Sequence, residues 1–175
     1  MRTLILGIGN TLLTDEGVGV HVVRHLATHH AGEPDVTYLD GGTLSFTLAG
    51  DIADHDFLIV VDAARLEGPP GTVRCFEEEE MDRYLGRAQM SVHEVGLSDL
   101  MDMARLSDTL PRRRALVGIQ PASLDWGDAP SVEVAPAVAV AAGLVLNLAR
   151  RWRQSEPAGE SPEVPATAPG ITRGA

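Results

Sequence analysis

The stretch Thr3-Leu4-Ile5-Leu6-Gly7-Ile8-Gly9-Asn10 decides the fold of this chain. Its nearly continuous apolar run is what a strand buried on both faces requires, and the glycine turn ends it abruptly. A helix is predicted to begin near Asp15-Glu16, carrying Val18, Val22 and Leu26 at four-residue spacing as an apolar stripe. Val36–Leu39 then reads as a second strand closed by Asp40-Gly41-Gly42, residues 44–52 as a short helix, and Phe57–Val61 as a third strand with Asp62 at its end. Glu67-Gly68-Pro69-Pro70-Gly71 is a turn, Thr72–Phe76 an edge strand, and Glu77–Glu80 a solvated acidic run. Leu97, Leu100, Met101 and Ala104 predict an amphipathic helix over 96–107. Arg112-Arg113-Arg114 marks the exposed start of a strand over Ala115–Ile119, and a last helix is expected over Pro136–Trp152.

The order β-α-β-α-β, then β, α, β, α, predicts an α/β protein: one open, mostly parallel twisted sheet with helices on both faces, in a single domain over 1–153. Residues 154–175 are rich in Pro, Ala, Gly, Ser and Glu with almost no large apolar side chains, so that tail is expected to stay disordered. If the first and third strands are neighbours, the crevice between their carboxyl ends is where a ligand binds.

Composition narrows the function. The 175 residues suit one domain with an ample core. A net charge of −11, with every basic residue an Arg, argues against nucleic acid, which needs a basic face. The single cysteine, Cys75, cannot form an internal disulfide and suits a reducing cytosol, hence a cytoplasmic location. Met1-Arg2 runs straight into a β-type segment, so no signal peptide is expected. The longest apolar stretch, 134–149, is short for a membrane span and is interrupted by Pro136, Gly143 and Asn147, so no membrane insertion is expected.

The glycine turn invites a dinucleotide reading, with Asp40 in the place of a ribose-binding carboxylate. Two details oppose it. Leu12 stands where the third glycine belongs, and Asp15-Glu16 puts negative charge where a pyrophosphate needs positive potential. Each such like-charge pair costs roughly 4 kcal/mol at intermediate dielectric.

Glu16, Asp62 and His93 each lie past a predicted strand or in the polar stretch that follows one. Brought together at one sheet edge, two carboxylates and an imidazole make an oxygen/nitrogen set for a divalent transition metal, with coordination positions left open. Singly, each has an ordinary explanation: helix-dipole carboxylate, turn cap, surface histidine. His21, His25 and His29 share a helical face and read as a solvated stripe. Cys75 reads as a buried structural thiol, and Ser91 with His93 makes no triad. Asp40 and Asp62 lack the Asp-Thr/Ser-Gly turn of aspartic proteases.

The segment Gly7-Ile8-Gly9-Asn10-Thr11-Leu12-Leu13-Thr14-Asp15-Glu16-Gly17-Val18-Gly19 resembles the opening signature of the [NiFe]-hydrogenase maturation endopeptidases. The likeness continues through Asp40-Gly41-Gly42-Thr43, Val60-Val61-Asp62-Ala63, Ser91-Val92-His93-Glu94 and Val117-Gly118-Ile119-Gln120-Pro121, in order and at similar spacing. The resemblance implies a sheet sandwiched by helices and removal of a C-terminal peptide from the precursor of a hydrogenase large subunit once nickel is inserted. It implies that Glu16, Asp62 and His93 bind nickel, with Asp62 and Glu16 serving catalysis and Asp40 a carboxylate near the cleft. Nickel would arrive with the substrate, and the enzyme is expected to be a monomer. A non-proteolytic nickel carrier using the same ligands is the competing expectation.

Overall fold

In the computed structural model, which describes residues 1–43, 46–86 and 92–155, the strands among the described residues form one sheet in the order β2-β1-β3-β5-β4. They are β1 (Thr3–Gly7), β2 (Val36–Asp40), β3 (Phe57–Ala63), β4 (Val73–Glu77) and β5 (Arg113–Ile119). Only β4 runs antiparallel, and it lies at the edge. The helices are α1 (Val18–His29), α2 (Leu48–Ala53), α3 (Glu79–Leu85), α4 (Val92–Leu106) and α5 (Ala135–Ser155).

Alternation along the strands sorts the core into two layers. Ile5, Phe57, Ile59, Val61, Val117 and Ile119 pack with α1 and α5 around the buried Trp152. Leu4, Leu6, Leu58, Val60 and Leu116 pack against α2, α3 and α4 on the other face. The central strands therefore read as unbroken apolar runs because both of their faces are covered.

Several expectations need correction. β3 continues to Ala63, so Asp62 lies within the strand, paired with Gly118, and not past its end. The helix expected over 96–107 begins at Val92, which puts His93 in the first turn of α4 and not in a loop. The acidic run is no solvated stretch: Glu77 closes β4 and accepts from Trp152 Nε1 at 3.2 Å, and Glu79 opens α3. Arg114 is not exposed; its guanidinium lies largely buried against Asp82 and Glu78. The short helix spans Leu48–Ala53, while Leu44 and Ser45 fall outside the described residues. The last helix continues to Ser155, and the tail from 156 onward also falls outside them. No helix among the described residues is long and apolar enough to cross a membrane.

Candidate active site

The first and third strands are hydrogen-bonded neighbours, with Gly7 beside Val61, so the crevice opens where β1 stops and β3 continues. Asp62 stands there at 1% exposure. Alternation puts it in the row of Leu58 and Val60, on the side of the sheet covered by α2–α4.

Glu16 belongs to a 3-10 helical turn, Thr14–Gly17, that leads into α1 and packs against β3. Glycines let this turn sit down on the strand ends. Gly9 adopts φ +134°, a conformation that favours glycine, and a Cβ there would fall on the carbonyl of Glu16. A Cβ at Gly19 would fall on the carbonyls of Val61 and Ile8. Glu16 and Asp62 are thus carried by segments in direct contact.

Asp15, one residue earlier, is wholly buried and does different work. Its Oδ2 accepts from Ala122 N, Ser123 N and Ser131 Oγ, each at 2.9 Å, and its Oδ1 accepts from Ser131 N at 2.7 Å. Burial raises the carboxyl pKa, but these donors together outweigh burial and hold it below its ordinary value. The loop between β5 and α5 is thereby fixed beside the cleft. Thr14 stands at φ +41°, rare for a β-branched residue, and is held by its N–H on Gly127 O at 2.9 Å and its hydroxyl on Asp125 O at 2.6 Å.

Asp40 ends β2 and pairs with Gly7 in register. Its carboxylate accepts from Arg24 of α1 at 3.0 Å and from Gly42 N at 3.0 Å. Gly42 O in turn accepts from Gly9 N, which ties this turn to the loop after β1. Asp40 therefore braces the rim of the crevice from the α1 side, on the opposite face from the Asp62 row. The side chain of His93 lies outside what is described. Among the described residues no three His, Cys, Asp or Glu side chains gather around a single metal position.

The histidine stripe is only partly solvated. His25 and His29 stack with centroids 4.2 Å apart, while His21 is half-buried and its pKa is lowered by burial and then by Arg24. Cys75, expected to be buried, is only partly so; that burial, reinforced by Glu77, pushes its thiol up to about 11. The residue that sequence reasoning misses is Asp15, which in sequence reads only as a second carboxylate beside Glu16 at a helix start. Its partners lie more than a hundred residues downstream, so no local pattern marks it.

Fold and crevice define the chain as a doubly wound α/β protein with an acidic site at its topological switch point. The hydrogenase maturation protease (HycI) family profile matches residues 20–148. The hydrogenase 2 maturation protease of Escherichia coli is 39% identical over 136 residues, 76% of this chain and 82% of that one. The hydrogenase expression/formation protein HupD of Rhizobium leguminosarum is 36% identical over 152 residues, 86% of this chain and 75% of that one. Among solved structures, the hydrogenase maturating endopeptidase HybD of E. coli superposes with a TM-score of 0.81 at 35% identity, covering 87% of this chain and 94% of that one. The [NiFe] hydrogenase maturation protease HybD of Thermococcus kodakarensis gives 0.73 at 32% identity, covering 85% and 99%. This chain belongs to the hydrogenase maturation protease family. It is an endopeptidase.

Proposed function

We propose that this endopeptidase removes the C-terminal peptide from the precursor of a [NiFe]-hydrogenase large subunit after nickel insertion, and that Glu16, Asp62 and His93 engage the nickel the precursor presents. The observation that carries this reading is the burial of Asp62 at the β1/β3 crevice, with the turn bearing Glu16 packed against the same strand. An oxygen-and-imidazole donor set suits a divalent transition ion.

Nickel is part of the substrate in this account, so the enzyme needs no resident metal. When engaged, the ion supplies Lewis-acid polarisation to a neighbouring carbonyl. Asp62, set in a rigid strand, orients the docked precursor. Glu16, half-buried on its turn, holds the attacking water, takes its proton and passes it to the leaving amine as the C–N bond breaks. Asp40, clamped by Arg24, keeps the Gly41-Gly42 turn at the mouth of the crevice. The free thiol of Cys75 suits a reducing cytoplasm, where a monomeric enzyme meets its precursor transiently.

The test is intact-mass spectrometry of purified nickel-loaded precursor incubated with the enzyme. The expected outcome is loss of one C-terminal peptide by a single cut. A precursor of unchanged mass that surrenders its nickel to this chain would instead identify a carrier.

A further inference from the structure

Large apolar side chains stand in the open at the carboxyl edge of the sheet. Leu12, in the loop after β1, is 58% exposed; Leu124 and Trp126, in the loop between β5 and α5, are 57% and 83% exposed. The two loops are joined by main-chain bonds, Thr14 N to Gly127 O at 2.9 Å and Gly127 N to Leu12 O at 3.0 Å. Asp15 fastens the flanks of the second loop through Ala122, Ser123 and Ser131. Trp126 is therefore not at a loose tip. Its backbone is held beside the segment that leads directly into Glu16. An exposed aromatic on a preorganised backbone is the usual anchor of a binding surface.

Charge selects the occupant. Residues 121–134 contain Asp125, Asp128 and Glu133 and no basic side chain, and Asp125 and Asp128 lie on either side of Trp126 in the sequence. A second copy would set this acidic loop against itself on a chain of net charge −11. Residues 156–175 carry three Glu and one Arg, so the chain's own end offers no complement.

Resting on the reading that this enzyme cuts a hydrogenase precursor at the Glu16–Asp62 cleft, we propose that Leu12, Leu124 and Trp126 form its docking surface for the precursor polypeptide, receiving an apolar segment that carries basic residues. Trp126 is the anchor, and Asp125 and Asp128 supply the surrounding charge.

The test measures processing of full-length nickel-loaded precursor by the full chain. Trp126→Ala raises KM roughly tenfold while kcat stays within about twofold. Leu106→Ala, an exposed side chain at the far end of α4, leaves KM unchanged. The double variant Asp125→Asn/Asp128→Asn raises KM at low salt, and the effect shrinks at high salt. With fluorotryptophan incorporated, the fluorine resonance of Trp126 shifts on precursor binding and that of the buried Trp152 does not. A KM for Trp126→Ala equal to wild type, or a Trp126 resonance unmoved in the saturated complex, overturns the docking surface alone, because wild-type cleavage in the same assay upholds the enzyme's function. If wild type does not cut the precursor, both readings fall together.

Discussion

Asp15 and Ser131, separated by 116 positions, are joined twice: the serine N–H donates to one carboxylate oxygen at 2.7 Å and its hydroxyl to the other at 2.9 Å. With Ala122 and Ser123 added, one buried side chain organises the whole loop that follows β5. The site is thus built by contacts between distant segments and not by a local motif. Glu16 inherits its position from a turn whose other carboxylate is committed to structure.

Replacing Asp15 with Asn presents an amide donor to an array of donors. The expected loss is about 3 kcal/mol, since charged acceptors in buried networks are worth more than neutral ones. Urea unfolding measures it. The pH dependence has a definite sign. Because the folded pKa lies below the ordinary 3.8, the stabilisation is fully present above that value and is lost as pH falls through the lower folded one. Acid-unfolding curves of wild type and Asp15→Asn should converge there. Curves that stay parallel to the lowest pH would contradict the assignment.

Gly19 allows α1 to approach the carbonyls of Val61 and Ile8. Gly19→Ala forces these apart at a cost of about 2 kcal/mol and displaces the end of β3 that carries Asp62. Both a lower melting temperature and slower processing are expected. A stable variant with full activity would mean that the close approach is not needed.

Cys75, with its thiol pushed up to about 11 by burial, is almost wholly protonated at neutral pH. Iodoacetamide should therefore alkylate it slowly in the native enzyme and rapidly after denaturation. Fast labelling of the folded protein would refute a structural role.

Much of this fold was legible because its central strands are covered on both faces. The runs 3–8, 57–61 and 115–119 could not be amphipathic and were not, and the glycine turn located the switch point. The start of α4 was hidden because Ser91-Val92-His93-Glu94 is polar and offers no apolar stripe until Leu97. The helix α3 was hidden by its acidic start: Glu78 and Asp82 look solvated in sequence, yet they pair with an arginine, Arg114, that begins a distant strand. Asp62 was recognisable as a carboxylate at a strand end. Its depth was not, since that depends on the neighbouring strands.

Glu16→Gln, Asp62→Asn and His93→Gln keep the size of each side chain while removing its charge or its ligand nitrogen. Each should lower processing on the order of 100-fold or more with little change in thermal stability. Full processing by any of the three would remove that residue from the site.

The most direct measurement compares nickel-loaded and nickel-free precursor in one cleavage assay with the wild-type enzyme. Only the loaded form is expected to lose its C-terminal peptide, and Asp62→Asn is expected to cleave neither form. Equal cleavage of both forms by wild type would contradict nickel recognition at Glu16, Asp62 and His93.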